Sequence, residues 1–349
     1  MATIPPSQRA WRFVRKGKPA VALDFDQNLP VPSELAEGDV LVRVAAAALN
    51  PVGTVVMGKF PLWLSKPPMV AENDLSGTIV ASKDSARPVG SRVIGFIPVP
   101  LQLKTKQGAL QEYARLPGSN TVLLPENLKF EEGAFALAAE TALQELMVNH
   151  KLEEGQTVFI NGVTSAVGAF AAQICKVKGC TVWGSASGKN EGLARSLGVD
   201  VFMDYQKRPV HLQLMDLKLE RKFDLVLDAV GFMNSPLYPN CESYLTETGT
   251  FVTSMHGPSN FGLGGFGELL ALLWTLRPSY LGGVRRKFSM AQVNHKIADL
   301  QQLADWLAEG KIRPYVDSVH AFEDALQAFE RIASFRAHGK VVVRVSSDE

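Results

Sequence analysis

Short runs of alternating apolar and polar residues, punctuated by proline and glycine, fill the first third of the chain. The runs "DVLVRVAAAALNP" (39–51), "SGTIVAS" (76–82) and "SRVIGFIPV" (91–99) are examples, and their period of two predicts half-buried β-strands. From about residue 155 the pattern changes to apolar strand-like runs alternating with helical ones. "TVFING" is followed by the helix-like "SAVGAFAAQICKVKG", then by "CTVWGSA", the helix-like "KNEGLARSLG", "VDVFMDY", a polar helical stretch, "FDLVLDAVG" and "GTFVTSM". Strands alternating with helices predict right-handed βαβ crossovers and an α/β, doubly wound parallel sheet. Two amphipathic helices, "HKIADLQQLADWLAEG" and "FEDALQAFERIASF", come next, and the alternating "GKVVVRV" closes the chain. That last strand needs a partner, and the β-rich first domain is the plausible host. The expected organisation is a discontinuous β-rich domain, residues 1–133 and 288–349, around an α/β domain, 134–287. No internal repeat or low-complexity segment is visible.

The stretch "VFINGVTSAVGAFAAQ" (158–173) reads as strand, turn and small-residue helix. It approaches the dinucleotide-binding fingerprint, which wants glycine at three places in the turn. Val163 and Ser165 hold the first two, and Gly168 keeps the third. Ser165 and Ala166 crowd a turn where backbone must approach a pyrophosphate. The Ser165 hydroxyl can offset this by donating to a phosphate oxygen. The helix N-terminus still presents free N–H groups and a positive dipole end.

Composition narrows the function classes. With 349 residues the chain is long enough for two domains, and 46% hydrophobic with 20% charged residues describes a globular protein. A net charge of +1 provides no basic field for nucleic acid. Three cysteines, Cys175, Cys180 and Cys241, form no disulfide framework and no Cys-x-x-Cys pair, which fits a reducing, cytoplasmic setting. The N-terminus carries no apolar signal-like run. "GELLALLWTL" (267–276) falls short of the roughly 20 apolar residues a membrane span needs.

Taken together, "GDVLVRVAAAALNP", "ENDLSG" (72–77), "GALQEY" (108–113), "AAETAL" (138–143), "INGVTSAVG" (160–168), "LGVDVFMDY" (197–205), "FDLVLDAVG" (223–231) and "HGKVVVRV" (338–345) carry a family resemblance. In this order they resemble the medium-chain dehydrogenase/reductase superfamily, in its zinc-independent quinone-reductase and enoyl-reductase branch, over nearly the whole chain. The resemblance implies a GroES-like domain beside a Rossmann domain. It also implies NADPH as cofactor, held at Thr164, Ser165, Ala166, Val167 and Gly168, with His256 near the nicotinamide carboxamide. No acid occurs between Cys180 and Glu191, where an NAD-preferring site uses one for the ribose 2′-hydroxyl. Ser185, Ser187 and Lys189 stand there instead, and the relatives add a tyrosine like Tyr205. This set suits a 2′-phosphate and favours NADPH over NADH.

The chemistry implied is hydride transfer to the β-carbon of an activated alkene, or to a quinone, with no metal. The places of the zinc ligands hold Asn50-Pro51-Val52 and Glu72-Asn73-Asp74, and no cysteine precedes Cys175. Many relatives carry an Asp, then Trp, Tyr or Lys, then Arg after "NP"; here Gly53, Thr54, Val55, Val56 and Met57 follow. Asn50 and Thr141 remain as candidate catalytic residues, Asn50 for a substrate carbonyl or the nicotinamide ribose, Thr141 for the nicotinamide. An Asx-type turn before Pro51 is the equal alternative for Asn50; for Thr141 a plain helical threonine is the alternative, with the nicotinamide reading favoured. The apolar replacements, with "FPLWL" (60–64), "MV" (69–70) and the "FGLGGFGELLALLWTL" insert, suggest a large apolar pocket for a polyketide-like, lipid-like or aromatic substrate of secondary metabolism. Two other readings stay open: a cofactor-binding but catalytically silent regulatory protein, and a non-redox enzyme using the same pocket. Relatives often pair through the Rossmann sheet edge, here near "PSYLGGV" (278–284). A homodimer is therefore an expectation carried by the resemblance alone.

Overall fold

The computed structural model describes residues 3–60, 62–217, 220–231, 235–254, 263–290 and 293–346. The chain divides into two units. Unit one is Met1–Glu140 with Asn294–Glu349, and unit two is Thr141–Val293. The boundaries fall a few residues beyond the sequence-based ones, and the first of them lies within the helix α2 introduced below.

Unit one begins with β1 (Ser7–Phe13), β2 (Leu23–Pro30) and β3 (Asp39–Leu49), the last followed directly by helix α1 (Pro51–Gly58). Pro51 at the first helical position fixes the φ that a helix start requires. Next come β4 (Met69–Val70), β5 (Asp74–Ser82), β6 (Arg92–Phe96), β7 (Tyr113–Pro117) and β8 (Thr121–Leu123), and then α2 (Ala136–Gln144).

Unit two follows with β9 (Thr157–Asn161), α3 (Ala166–Val177), β10 (Thr181–Ala186), α4 (Glu191–Ser196), β11 (Val201–Asp204), α5 (Val210–Asp216) and β12 (Phe223–Asp228). It ends with β13 (Leu245–Thr253), α6 (Leu263–Thr275) and β14 (Lys287–Met290). The chain then returns to unit one as α7 (Ile297–Ala308), β15 (Val316–Ala321), α8 (Ala325–Ala333) and β16 (Lys340–Arg344).

In unit one the larger sheet has the order β15-β16-β3-β5-β6-β8, with β7 also on β3, and β2-β1-β4 form a second sheet. The C-terminal strand pairs antiparallel with β3, Val341 opposite Leu49, and β3 pairs antiparallel with β5, Ala48 opposite Asp74. This register places Asn50, Asp74 and Lys340 at one end of three neighbouring strands. Trp11, Phe13, Val42, Leu75, Ile79, Phe329 and Val343 are among the buried residues of its core.

The sheet of unit two runs β11-β10-β9-β12-β13-β14, every pair parallel. Strand order reverses at β9, so the carboxyl end of β9 is the switch point at which such sheets hold ligands. Phe159, Phe223, Val226, Tyr244 and Phe251 lie in the core beneath it. One expectation needs correction: residues 278–284 are not an edge strand. The edge strand is β14, and the preceding segment makes only the turn Ser279–Leu281. The Arg277 guanidinium donates to the carbonyls of Leu281 (3.1 Å) and Gly282 (2.8 Å), groups a strand would need for its ladder.

Candidate functional site

The turn after β9 is built around two glycines. Gly162 adopts φ +73° and so makes the sharp exit from the strand, one residue before the fingerprint position that the sequence leaves to Val163. At Gly168 a Cβ would lie 2.3 Å from the Gly162 carbonyl oxygen and 2.9 Å from the Val163 Cα, so helix α3 can close on the turn only without a side chain there. Ser165 caps α3, its Oγ accepting the Gly168 N–H at 3.1 Å. The hydroxyl proton of that cap remains available to a ligand, and the first-turn N–H groups of any helix lack intrahelical partners. Ala166 and Val167 sit in that first turn. Thr164 is buried at the crest.

Beneath the turn, Ser185 is fully buried and supports it rather than facing outward. Its Oγ donates to Asn161 Oδ1 (2.7 Å) and accepts the Gly162 N–H (3.3 Å). Asn161 in turn donates to Asp228 Oδ1 at 2.8 Å. The rim of the site is formed by the next loop. Ser187 accepts from Asn190 Nδ2 at 2.8 Å, Lys189 is exposed, and Tyr205 is 52% exposed, beside Asp204. The pairing of Ala186 with Asp204 brings the starts of these two loops together. A residue the sequence reading missed also belongs here: the Asp204 carboxylate lies against Gly188, where an added Cβ would be 2.5 Å from Oδ2.

The second cluster is in unit one, where the strand register predicts it. Lys340 Nζ donates to Asn50 Oδ1 (2.7 Å), Asp74 Oδ2 (2.9 Å) and the Leu49 carbonyl (3.3 Å). Asn50 Nδ2 donates to Asp74 Oδ2 at 3.0 Å, and Asp74 Oδ1 accepts the Leu137 N–H at 2.9 Å, which ties α2 to β5. Both ends of the Asn50 side chain are thus committed inside the protein.

Glu72 completes the cluster. It holds φ +63°, a left-handed conformation that costs a non-glycine residue about 1–2 kcal/mol and persists only where the surroundings impose it. The side chain is buried; Oε2 accepts the Asn50 N–H at 3.0 Å, while Oε1 has no partner among the described residues. A Cβ on Gly53 would lie 2.1 Å from that Oε1, so the glycine in α1 and the carboxyl of Glu72 occupy one space between them. Burial pushes the Glu72 carboxyl up to about 8, against the opposing pull of the Asn50 N–H and Lys340.

The remaining candidates are dispersed. Thr141 is buried on α2 at the start of unit two. His256 lies outside the described residues. Two buried carboxyls that sequence reasoning passed over lie on α2 and just after it: Glu140 accepts from His295 Nδ1 at 2.8 Å, and Glu145 accepts from the Ser254 hydroxyl at 2.6 Å and is pushed up to about 8 by burial. Val56, Met57, Met69 and Val70, expected to line a large apolar pocket, are instead buried around a narrow crevice. The apolar side chains of α1 turn into the core: Val56 and Met57 are buried, and the half-buried Val52 packs against the same core. No helix of the described residues is long and apolar enough to cross a membrane. Among the same residues no group of three or more His, Cys, Asp or Glu side chains is placed to hold a metal ion, and the three cysteines are buried in unit two. The residues described do not fit a bound zinc.

Comparison with known proteins agrees with this architecture. Residues 36–126 match the alcohol dehydrogenase GroES-like domain, and residues 197–343 the family described as zinc-binding dehydrogenase. The trans-enoyl reductase pgmF of Aspergillus terreus is 31% identical over 99% of this chain and 98% of its own length. The chloroplastic NADPH-dependent alkenal/one oxidoreductase of Arabidopsis thaliana is 29% identical over 98% of this chain and 81% of its own. Among solved structures, the quinone oxidoreductase from Coxiella burnetii superposes with a TM-score of 0.78 at 23% identity, covering 97% of this chain and 100% of that one. A GroES-like unit, a parallel sheet whose strand order reverses at β9, and a 31% identical relative matched over nearly its whole length place the chain in the medium-chain dehydrogenase/reductase superfamily, as an oxidoreductase.

Proposed function

We propose that the protein is a zinc-independent reductase that uses NADPH to reduce an activated C=C bond, in an enone or enoyl group, or a quinone, on a largely apolar, polyketide-like substrate. The observation that carries this reading is the turn between β9 and α3. Gly168 admits no Cβ, and the capping hydroxyl of Ser165 and the first-turn N–H groups remain to receive a pyrophosphate. Lys189, Ser187 and Tyr205 would take the 2′-phosphate, while Ser185 and Asn161 keep the turn in place. When bound, NADPH supplies the hydride; the chain supplies orientation, with Thr141 as the candidate hydroxyl near the nicotinamide. Asn50 acts by holding the start of α1 against β5 and β16 through Asp74 and Lys340. The names of the relatives, an enoyl reductase and an alkenal/one oxidoreductase, support the substrate class.

A second reading, a nucleotide-binding but silent protein, is favoured by one observation: α1 carries no titratable side chain and the Asn50 side chain is consumed internally. Fluorescence titration with both nucleotides tests the cofactor assignment. NADPH is expected to bind at least tenfold tighter than NADH, about 1.4 kcal/mol, and Lys189→Ala is expected to remove most of that preference. Equal affinities, or tighter NADH, would assign the rim to Asp204 and a ribose hydroxyl instead.

A further inference from the structure

We propose that the outer face of α6 and the turn after it form a docking surface for a membrane carrying anionic lipids, on which the protein rests without crossing it. Leu270, Leu273 and Trp274 recur at the spacing of one helix face and are 50%, 58% and 69% exposed. In the following turn Tyr280 and Leu281 are 83% and 62% exposed. The opposite side of the same segment is occupied, because Leu276 and Val284 pack against the core of unit two. Arg277 joins the two exposed pieces into one surface. Its guanidinium lies over the Trp274 ring, 4.5 Å from the centroid, and donates to the carbonyls of Trp274, Leu281 and Gly282. A contiguous apolar patch of this kind marks a contact surface, whereas single exposed apolar residues do not.

Charge decides what the contact is with. Residues 267–290 hold four basic side chains, Arg277, Arg285, Arg286 and Lys287, against one acidic residue, Glu268. Arg285 follows Leu281 by four residues, at most about 14 Å of extended chain. The Glu242 carboxylate reaches this stretch but accepts the Arg285 backbone N–H, at 2.6 Å. Arg277, Arg286 and Lys287 donate to neutral carbonyls, of Trp274, Leu245 and Asn149, which leaves their charges without a carboxylate in contact among the described residues. Turned on itself by a two-fold axis, the patch would set these cations against their own copies, and facing like charges disfavour that pairing. An anionic lipid surface meets both halves of the pattern. Leucines enter the boundary between headgroups and acyl chains, tryptophan and tyrosine sit at headgroup level, and arginine and lysine face the lipid anions. With 13 residues, α6 is too short to span a bilayer and long enough to lie along its surface.

The test floats the full-length protein with vesicles of phosphatidylcholine alone, or with roughly a quarter phosphatidylserine added. At low salt, partition onto the anionic vesicles is expected to exceed that onto phosphatidylcholine at least about tenfold and to fall as salt screens the charges. Tryptophan emission should shift to the blue as Trp274 leaves water. Leu273→Asp with Trp274→Asp is expected to lower partition at least about tenfold and to abolish the shift. Arg285→Glu with Lys287→Glu leaves the apolar face intact and is expected to lower partition by at least about tenfold as well. All four side chains are exposed, so thermal midpoints should stay near wild type; if the first variant fails to fold, the second carries the test alone. Met215→Asp on α5, an exposed apolar residue off the patch, should partition as wild type does. No partition onto anionic vesicles, equal partition onto both kinds, or an equal loss in Met215→Asp overturns the proposal. So does a dimer in sedimentation velocity that the Trp274 substitution dissociates, since a second copy would then cover this face.

Discussion

Replacing Lys340 with methionine is expected to destabilise the protein by about 3–5 kcal/mol, the cost of leaving a buried partner charge uncompensated. The Lys340 side chain is 2% exposed and the Asp74 side chain fully buried, with 2.9 Å between their charged atoms. Methionine fills the volume but removes three donated hydrogen bonds, to Leu49, Asn50 and Asp74. Asp74 then keeps only Asn50 Nδ2 and the Leu137 N–H. For a unit of this size the loss corresponds to a fall in thermal midpoint of at least about 6 °C. Asp74→Asn in the same chain removes the stranded charge and should return a good part of it, so the two substitutions are expected to be strongly non-additive. A midpoint unchanged by Lys340→Met would mean that the ion pair contributes nothing and that Asn50 is held otherwise.

The second large effect is expected at Gly168. Valine there would place its Cβ against backbone, 2.3 Å from the Gly162 oxygen, and backbone cannot rotate away as a side-chain tip can. The turn must widen, which costs about 1–3 kcal/mol as overpacking and moves the N–H groups proposed to receive the pyrophosphate. Titration is expected to show NADPH affinity reduced at least about 100-fold, or about 2.7 kcal/mol. Gly192→Ala on α4 serves as control: nothing lies within 4 Å of an added Cβ there, so affinity and midpoint should stay near wild type. Unimpaired NADPH binding by Gly168→Val would remove this turn from the cofactor site.

Local pattern sufficed for the parallel sheet and its turn. The strands of unit two are apolar runs bounded by glycine, and the turn residues lie within a dozen positions, so the sequence displays them together. The polar cluster of unit one was opaque for the opposite reason. Lys340 reads as the polar first residue of a strand, and only the pairing of β16 with β3 brings it to Asn50, 290 positions away. Glu72 was legible only as a departure from the family pattern, since its meaning depends on a positive φ and on the absent side chain of Gly53. The apolar residues of α1 suggested a large pocket, and Val56 and Met57 are core residues that line a narrow crevice, because helical periodicity shows an apolar face without saying whether it meets core or ligand. Asp204 escaped notice because it belongs to β11 and reaches Gly188 across the strand pair.

Isotope transfer from deuterated NADPH tests the reductase reading most directly. The protein, treated with a chelator, would be given 4-deuterated NADPH of each face and an apolar α,β-unsaturated ketone, and the product analysed by mass spectrometry. One deuterium is expected on the β-carbon of a saturated ketone, delivered from one face only and matching the NADPH consumed. Deuterium on a carbinol carbon would make the protein a carbonyl reductase, and no consumption with any enone or quinone would leave it a nucleotide-binding protein without this chemistry.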